Sequence, residues 1–196
     1  MKKLLFFSEL GRLLKSRLTW LVMLLVLVSP VAGLVWYKPA SAETMLSMYL
    51  ANPALAGGVA GGILFGLLTL YELDRTGRSQ VDVLVDAAVS PLTMAFLRLL
   101  SLLAVSVLTL ALTMLVWLPI CRGLIGAVFD MGDYVPAWLL FMGLALPLGI
   151  LAVSSAWQFT GRTDLSLVLF AAFAGLSLTV WADNWQLCWL NPCVWA

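Results

Sequence analysis

Histidine is absent from all 196 residues, and no lysine follows Lys38. The first absence removes the commonest general base and the imidazole metal ligand, and with them any Ser–His or Cys–His nucleophile pair. The second excludes the glycine-rich phosphate loop, which ends in lysine, so the chain has no such route to hydrolysing nucleotide by itself. Charge is scarce as well. Asp, Glu, Lys and Arg make up 11% of the chain, against about 25% in soluble domains. Hydrophobic residues reach 63% and mean hydropathy is +1.04, which excludes a soluble domain. The net charge of +1 comes without a basic tract, so nothing points to nucleic acid. The period-2 alternation of a membrane barrel is also missing. What remains is an all-α, polytopic transmembrane bundle, helical because backbone groups in lipid must be satisfied within their own segment.

Five charge-free stretches approach the roughly 20 residues needed to span hydrocarbon: about 18–36, 53–71, 99–118, 137–157 and 165–181. In the second, Asn52 reads as the helix cap and Pro53 as its first position. Ser29, Pro30 and Gly33 predict a bend in the first, and Pro147 with Gly149 a kink in the fourth. Ahead of the first span, residues 2–17 place Phe6, Phe7, Leu10, Leu13 and Leu14 on one helical face and Ser8, Arg12 and Lys15 opposite, the pattern of an interfacial amphipathic helix with a basic wet side. "KPASAE" at 38–43 looks like a signal-peptidase site, but Ser8, Glu9, Arg12, Lys15 and Arg17 put the apolar run too far from the start, so the segment reads as retained. With the N-terminus cytoplasmic, nine of eleven basic residues fall inside and only Lys38 and Arg122 outside, which fixes orientation by the positive-inside rule. Trp20, Trp36, Trp117, Trp138, Trp157 and Trp181 lie near span ends, as an aromatic belt requires. Cys121, Cys188 and Cys193 then sit at or beyond the outer surface, where disulfides are permitted in a periplasm. Cys188 with Cys193, or either with Cys121, is a candidate bridge, against three free thiols.

Seven of the twenty-one charged residues crowd into residues 72–100. There Ser79 and Asp82 predict a capping box, and Val81, Leu84, Val85 and Ala88 a short amphipathic helix that ends at Ser90-Pro91, with Ser90 capping the next helix and Pro91 opening it. Its polar face carries Asp82 and Asp86, which anionic lipids repel, so it suits a basic protein surface better than headgroups.

This order of elements resembles the permease subunits of type-2 ABC exporters: a basic amphipathic N-terminal helix, a span, an outer loop, a span, and then "E-x-D-R … LVDAAVSPLTMAFLRLL". The resemblance implies that Glu72, Asp74 and Arg75 form the charged cluster after the second span, with Arg78 counted among the residues that couple to the ATPase subunit. Residues Asp82 to Ala88 would be the coupling helix within a 72–92 segment, and Ser90-Pro91 the turn into the third span. The family commonly has lysine a turn after that proline, where this chain has Arg98. It further implies a dimeric permease, paired with itself or a homologous permease, driven by cytosolic ATP-binding subunits that hold the ATP and Mg, in a cell inner membrane. The loop carrying Gln158, Arg162 and Asp164 would be the lesser contact. Six spans are usual in the family; here the 182–196 tail, with Trp185, Trp189 and Trp195, is either an outer remnant or the start of a further helix.

Gly58, Gly62 and Gly66 recur every four residues, with Gly57 and Gly61 beside them, and predict close helix packing, whether static or sliding. The predicted spans hold no charged residue, which argues against an ion-coupled carrier. Ser154 and Ser155 read as packing hydroxyls, no residue reads as catalytic, cofactor-binding or metal-ligating, and an uncharged path suits hydrophobic, amphipathic or peptide-like cargo. The competing expectations are an ATP-independent channel or carrier and a non-transporting membrane assembly protein.

Overall fold

The computed structural model describes residues 2–36, 44–79 and 91–177, and no strand occurs among them. Helix α1 covers Lys2–Lys15, α2 Arg17–Val28 and α3 Val31–Val35. A π turn, Ser47–Ala51, leads into α4, Asn52–Ser79. Then come α5, Pro91–Ile125, a 3-10 turn at Gly126–Val128, α6, Met131–Thr160, and α7, Thr163–Ser177. Among the described residues, four segments are long and apolar enough to cross a membrane: Arg17–Val35, Ser47–Arg75, Leu92–Val128 and Met131–Thr160. The fifth predicted span falls on α7, whose apolar part is the shorter Thr163–Gly175; its predicted end at 181 and the 182–196 tail lie outside the described residues.

The helices run past the predicted spans at most ends. Because apolarity marks the part of a helix that lipid must cover rather than the helix itself, α4 runs to Ser79 and α5 and α6 extend beyond 99–118 and 137–157. The start of the second span also moves. Asn52 is helical, not a cap, and its N–H bonds the Ser47 carbonyl. The cap lies at Thr44, whose Oγ1 accepts the Ser47 N–H at 3.1 Å while Ser47 Oγ accepts the Thr44 N–H at 3.3 Å, a reciprocal capping box.

Proline sets the local geometry at two further points. The turn at Ser29 and Pro30 divides α2 from α3. Pro30 has no N–H for the Val26 carbonyl four residues back, and Ser29 Oγ donates to that carbonyl at 2.7 Å. Pro53 likewise leaves the Tyr49 carbonyl without an α-helical donor, and Cys121 Sγ of α5 fills the gap at 3.4 Å. Cys121 is a buried free thiol here, its Sγ engaged with that carbonyl. Cys188 and Cys193 lie outside the described residues.

Helix α4 is the hub. Its span is 67% buried, against 33–39% for the other three, and it packs on α2, α3, α6 and α7. The glycines explain the closeness of α4 and α6. A methyl on Gly58 would meet the Phe141 carbonyl at 2.6 Å and one on Gly62 the Ala145 carbonyl at 3.0 Å, while Gly149 of α6 rests directly on the Gly62 carbonyl. Gly66 meets the Phe170 ring of α7, and Gly61 a Leu146 methyl. Without side chains between them, the two backbones gain packing that lipid cannot offer.

At the end of the bundle that holds Cys121, Trp117 and Trp138 stack at 6.2 Å and Tyr134 joins them at 5.7 Å. All three are nearly inaccessible. Trp117 Nε1 donates to the Leu27 carbonyl at 2.9 Å and Tyr134 Oη to that of Met114 at 2.6 Å. These two tryptophans belong to the core and not to a lipid-facing belt: Trp117 has the Leu27 carbonyl for its N–H, whereas Trp138 is held by ring packing against Trp117 and Tyr134, its buried Nε1 having no hydrogen-bond partner. Trp20 and Trp36 are exposed, Trp157 is partly buried, and Trp181 lies outside the described residues. Buried hydroxyls of Thr69, Ser101, Thr109, Thr113 and Ser154 donate to carbonyls four residues back in their own helices, which satisfies them without water.

Candidate functional site

The opposite end of the bundle gathers charge. Helix α4 emerges from its apolar stretch at Tyr71 and presents Glu72, Asp74 and Arg75 in succession, while α1, packed against α5, brings up Glu9 and Arg12. Arg12 Nη2 donates to Glu72 Oε2 at 2.6 Å. Arg12 Nε donates to Glu9 Oε2 at 3.0 Å, and Arg75 Nη1 stands 3.9 Å from the same Glu72 oxygen. Glu72 has only 3% of its side chain exposed. A carboxylate so buried is tenable because a guanidinium meets it directly. Helical phase predicts Arg12 on the wet side of α1; the buried carboxylate turns it inward instead. Burial, the largest influence on Arg12, works to lower its pKa, but the bond and charge of Glu72, followed by those of Glu9, outweigh it and hold the pKa above the ordinary value.

Asp74, two residues on and so roughly 200° around the helix from Glu72, reaches the other way. Its Oδ1 accepts the Thr163 hydroxyl at 2.5 Å, at the start of α7. Gly161 makes that approach feasible: it ends α6 in the left-handed region at φ 61°, its N–H returning to the Trp157 carbonyl at 2.8 Å, a glycine stop that lets the chain reverse within two residues. One short stretch of α4 therefore ties α1, α4 and the α6–α7 turn together.

Beside this brace lies a cleft of about 680 Å³ lined by Phe7, Ser8, Gly11, Arg12, Lys15, Ser16, Tyr71, Glu72 and Arg75. Among the described residues no group of three His, Cys, Asp or Glu side chains is placed to hold a metal. The arrangement offers ion pairs and a basic recess.

Of the residues singled out from sequence, Glu72, Asp74 and Arg75 come together here. The α4 backbone continues through Arg78, and α5 opens at Pro91. Asp82, Asp86 and Ser90 lie outside the described residues. Gln158, Arg162 and Asp164 flank the α6–α7 turn, where Thr163 between them makes the bond to Asp74. Sequence reasoning missed Glu9, Arg12 and Thr163 as partners. The Glu9–Arg12 spacing of three residues on one helix was the available signal; nothing local marked Thr163. No family model, curated protein or solved structure matches this chain.

Proposed function

We propose that this chain is the membrane-spanning permease subunit of an ATP-driven ABC exporter of the type-2 kind, moved by a separate cytosolic subunit that binds and hydrolyses ATP with Mg. One observation supports this reading above others. The charged residues that the resemblance assigns to coupling, Glu72, Asp74 and Arg75, are joined to α1 and to the α6–α7 turn, immediately before the segment 80–90 that would meet the ATPase. A push on that segment would then be shared by three elements instead of bending one helix end. The permease pairs with a second copy or a homologous permease, sits in the inner membrane with its N-terminus cytoplasmic, and exports hydrophobic, amphipathic or peptide-like cargo.

The test is affinity purification in detergent from the native cell, followed by identification of the co-purifying subunit. An ABC ATP-binding subunit is expected with the unaltered chain, and at least tenfold less of it with Asp82→Lys/Asp86→Lys at unchanged membrane insertion. Equal recovery with the charge-reversed chain overturns the docking role, and absence of any ATPase subunit from the unaltered chain overturns the exporter.

A further inference from the structure

The cleft beside the brace has a chemistry that coupling does not use. At about 680 Å³ it falls within the range of ligand pockets, roughly 300–1,000 Å³. Its wall carries three cations, Arg12, Lys15 and Arg75, against one carboxylate, Glu72, and Glu9, bonded to Arg12 on its far side, leaves the group net cationic by one. Glu72 already receives Arg12 at 2.6 Å, whereas Lys15 is exposed and makes no ion pair among the described residues. Arg12 keeps donor capacity as well, since its buried Nη1 has no acceptor. Ser8 and Ser16 add hydroxyls to the wall. Phe7, also part of the lining, is 65% exposed, and Leu4 one turn before it is 76% exposed. The recess is therefore basic within and apolar at its rim, at the level where α1 meets the end of a membrane span.

From this we infer that the cleft binds the phosphate headgroup of an anionic phospholipid, its acyl chains passing over Phe7 and Leu4. An apolar rim has no purpose for free phosphate, and a zwitterionic headgroup carries an ammonium that the three cations repel. Basic recesses between helices at a membrane surface take anionic headgroups on these grounds. The inference needs only the membrane reading, not the exporter, so the two fail separately.

The full-length chain, purified in a zwitterionic-lipid micelle, is titrated with phosphatidylglycerol, with phosphatidylcholine and with inorganic phosphate, and bound lipid is counted by native mass spectrometry alongside the melting temperature. Phosphatidylglycerol is expected to stay bound and raise the melting temperature where the other two do not. Lys15→Glu should weaken it roughly tenfold, since each basic residue near an anionic surface counts several-fold. Lys15 is exposed and unpaired, so this variant folds. Arg17→Glu, two residues on and outside the cleft lining, is the control and should change binding less than twofold. Equal retention of phosphatidylcholine overturns the proposal. So does stabilisation by inorganic phosphate alone, and so does an equal loss in Arg17→Glu, which would mean diffuse attraction without a site.

Discussion

At the scale of single residues, Glu72 is the position on which the charged end depends. Removing one partner of a buried pair strands the other, at about 3–5 kcal/mol, whereas replacing both by apolar residues of similar volume is often neutral. Arg12→Ala should therefore lower stability by about 3–5 kcal/mol, and Arg12→Met combined with Glu72→Met should recover most of that loss; thermal unfolding in detergent checks both, and a double variant as damaged as the single one would show that the pair itself is what stabilises. Because Glu72 and Glu9 hold the Arg12 pKa above its ordinary value, the stabilisation that depends on the guanidinium proton is complete in neutral solution, well below that ordinary value, and is lost only as pH rises through the raised one. Arg12 therefore adds no pH dependence between neutral and mildly alkaline solution. Half of this pair was legible beforehand. Glu72 is marked by the resemblance, as part of the charged cluster after the second span, but Arg12 sits 60 residues away, and helical phase alone puts it toward water. Phase sees one helix at a time and cannot see a buried carboxylate on another.

At the scale of elements, the α4–α6 contact is decided by missing side chains. Added methyls can displace a flexible neighbour but not a backbone carbonyl, so overpacking of about 1–3 kcal/mol is expected where the neighbour is main chain. Gly149→Ala and Gly58→Ala belong to that group. Gly123→Ala in α5 meets nothing within 4 Å and should be neutral or stabilising by up to about 1 kcal/mol through helix propensity. Melting temperatures of the three variants check the ranking; a Gly123→Ala as harmful as Gly149→Ala would contradict it. Here the four-residue spacing of Gly58, Gly62 and Gly66 was readable as a packing face. Which helix it faced was not, because α6 offers only Gly149 and Ala145 at the crossing, and the third glycine turns to Phe170 of α7. Element boundaries were less legible than element identity. Asn52-Pro53 has the composition of a helix start, and the reciprocal bonds of Thr44 and Ser47 one stretch earlier override it.

At the scale of the whole molecule, the four described segments long and apolar enough to cross a membrane put α1 and the α6–α7 turn at one end and the Gly126–Val128 turn at the other. With Cys188 and Cys193 replaced by serine and Cys121 left buried, new cysteines at Lys15 and Asp164 should react with a membrane-impermeant maleimide only in inside-out vesicles, and one at Val128 only in right-side-out cells. Labelling of Lys15→Cys and Asp164→Cys from different sides would refute the four-crossing bundle. Hydropathy marks the four long segments; the fifth predicted span begins on the apolar Thr163–Gly175 of α7 and runs on to 181, outside the described residues. Length has another result: α5, at 35 residues, extends about 52 Å, well beyond the roughly 30 Å of hydrocarbon, so it either leans or stands proud of the bilayer. The backbone contact at Gly62 and Gly149 allows no such freedom to its neighbours. With main chain resting on main chain, α4 and α6 form one spar, and in the proposed exporter any passage that widens has to part along some other seam.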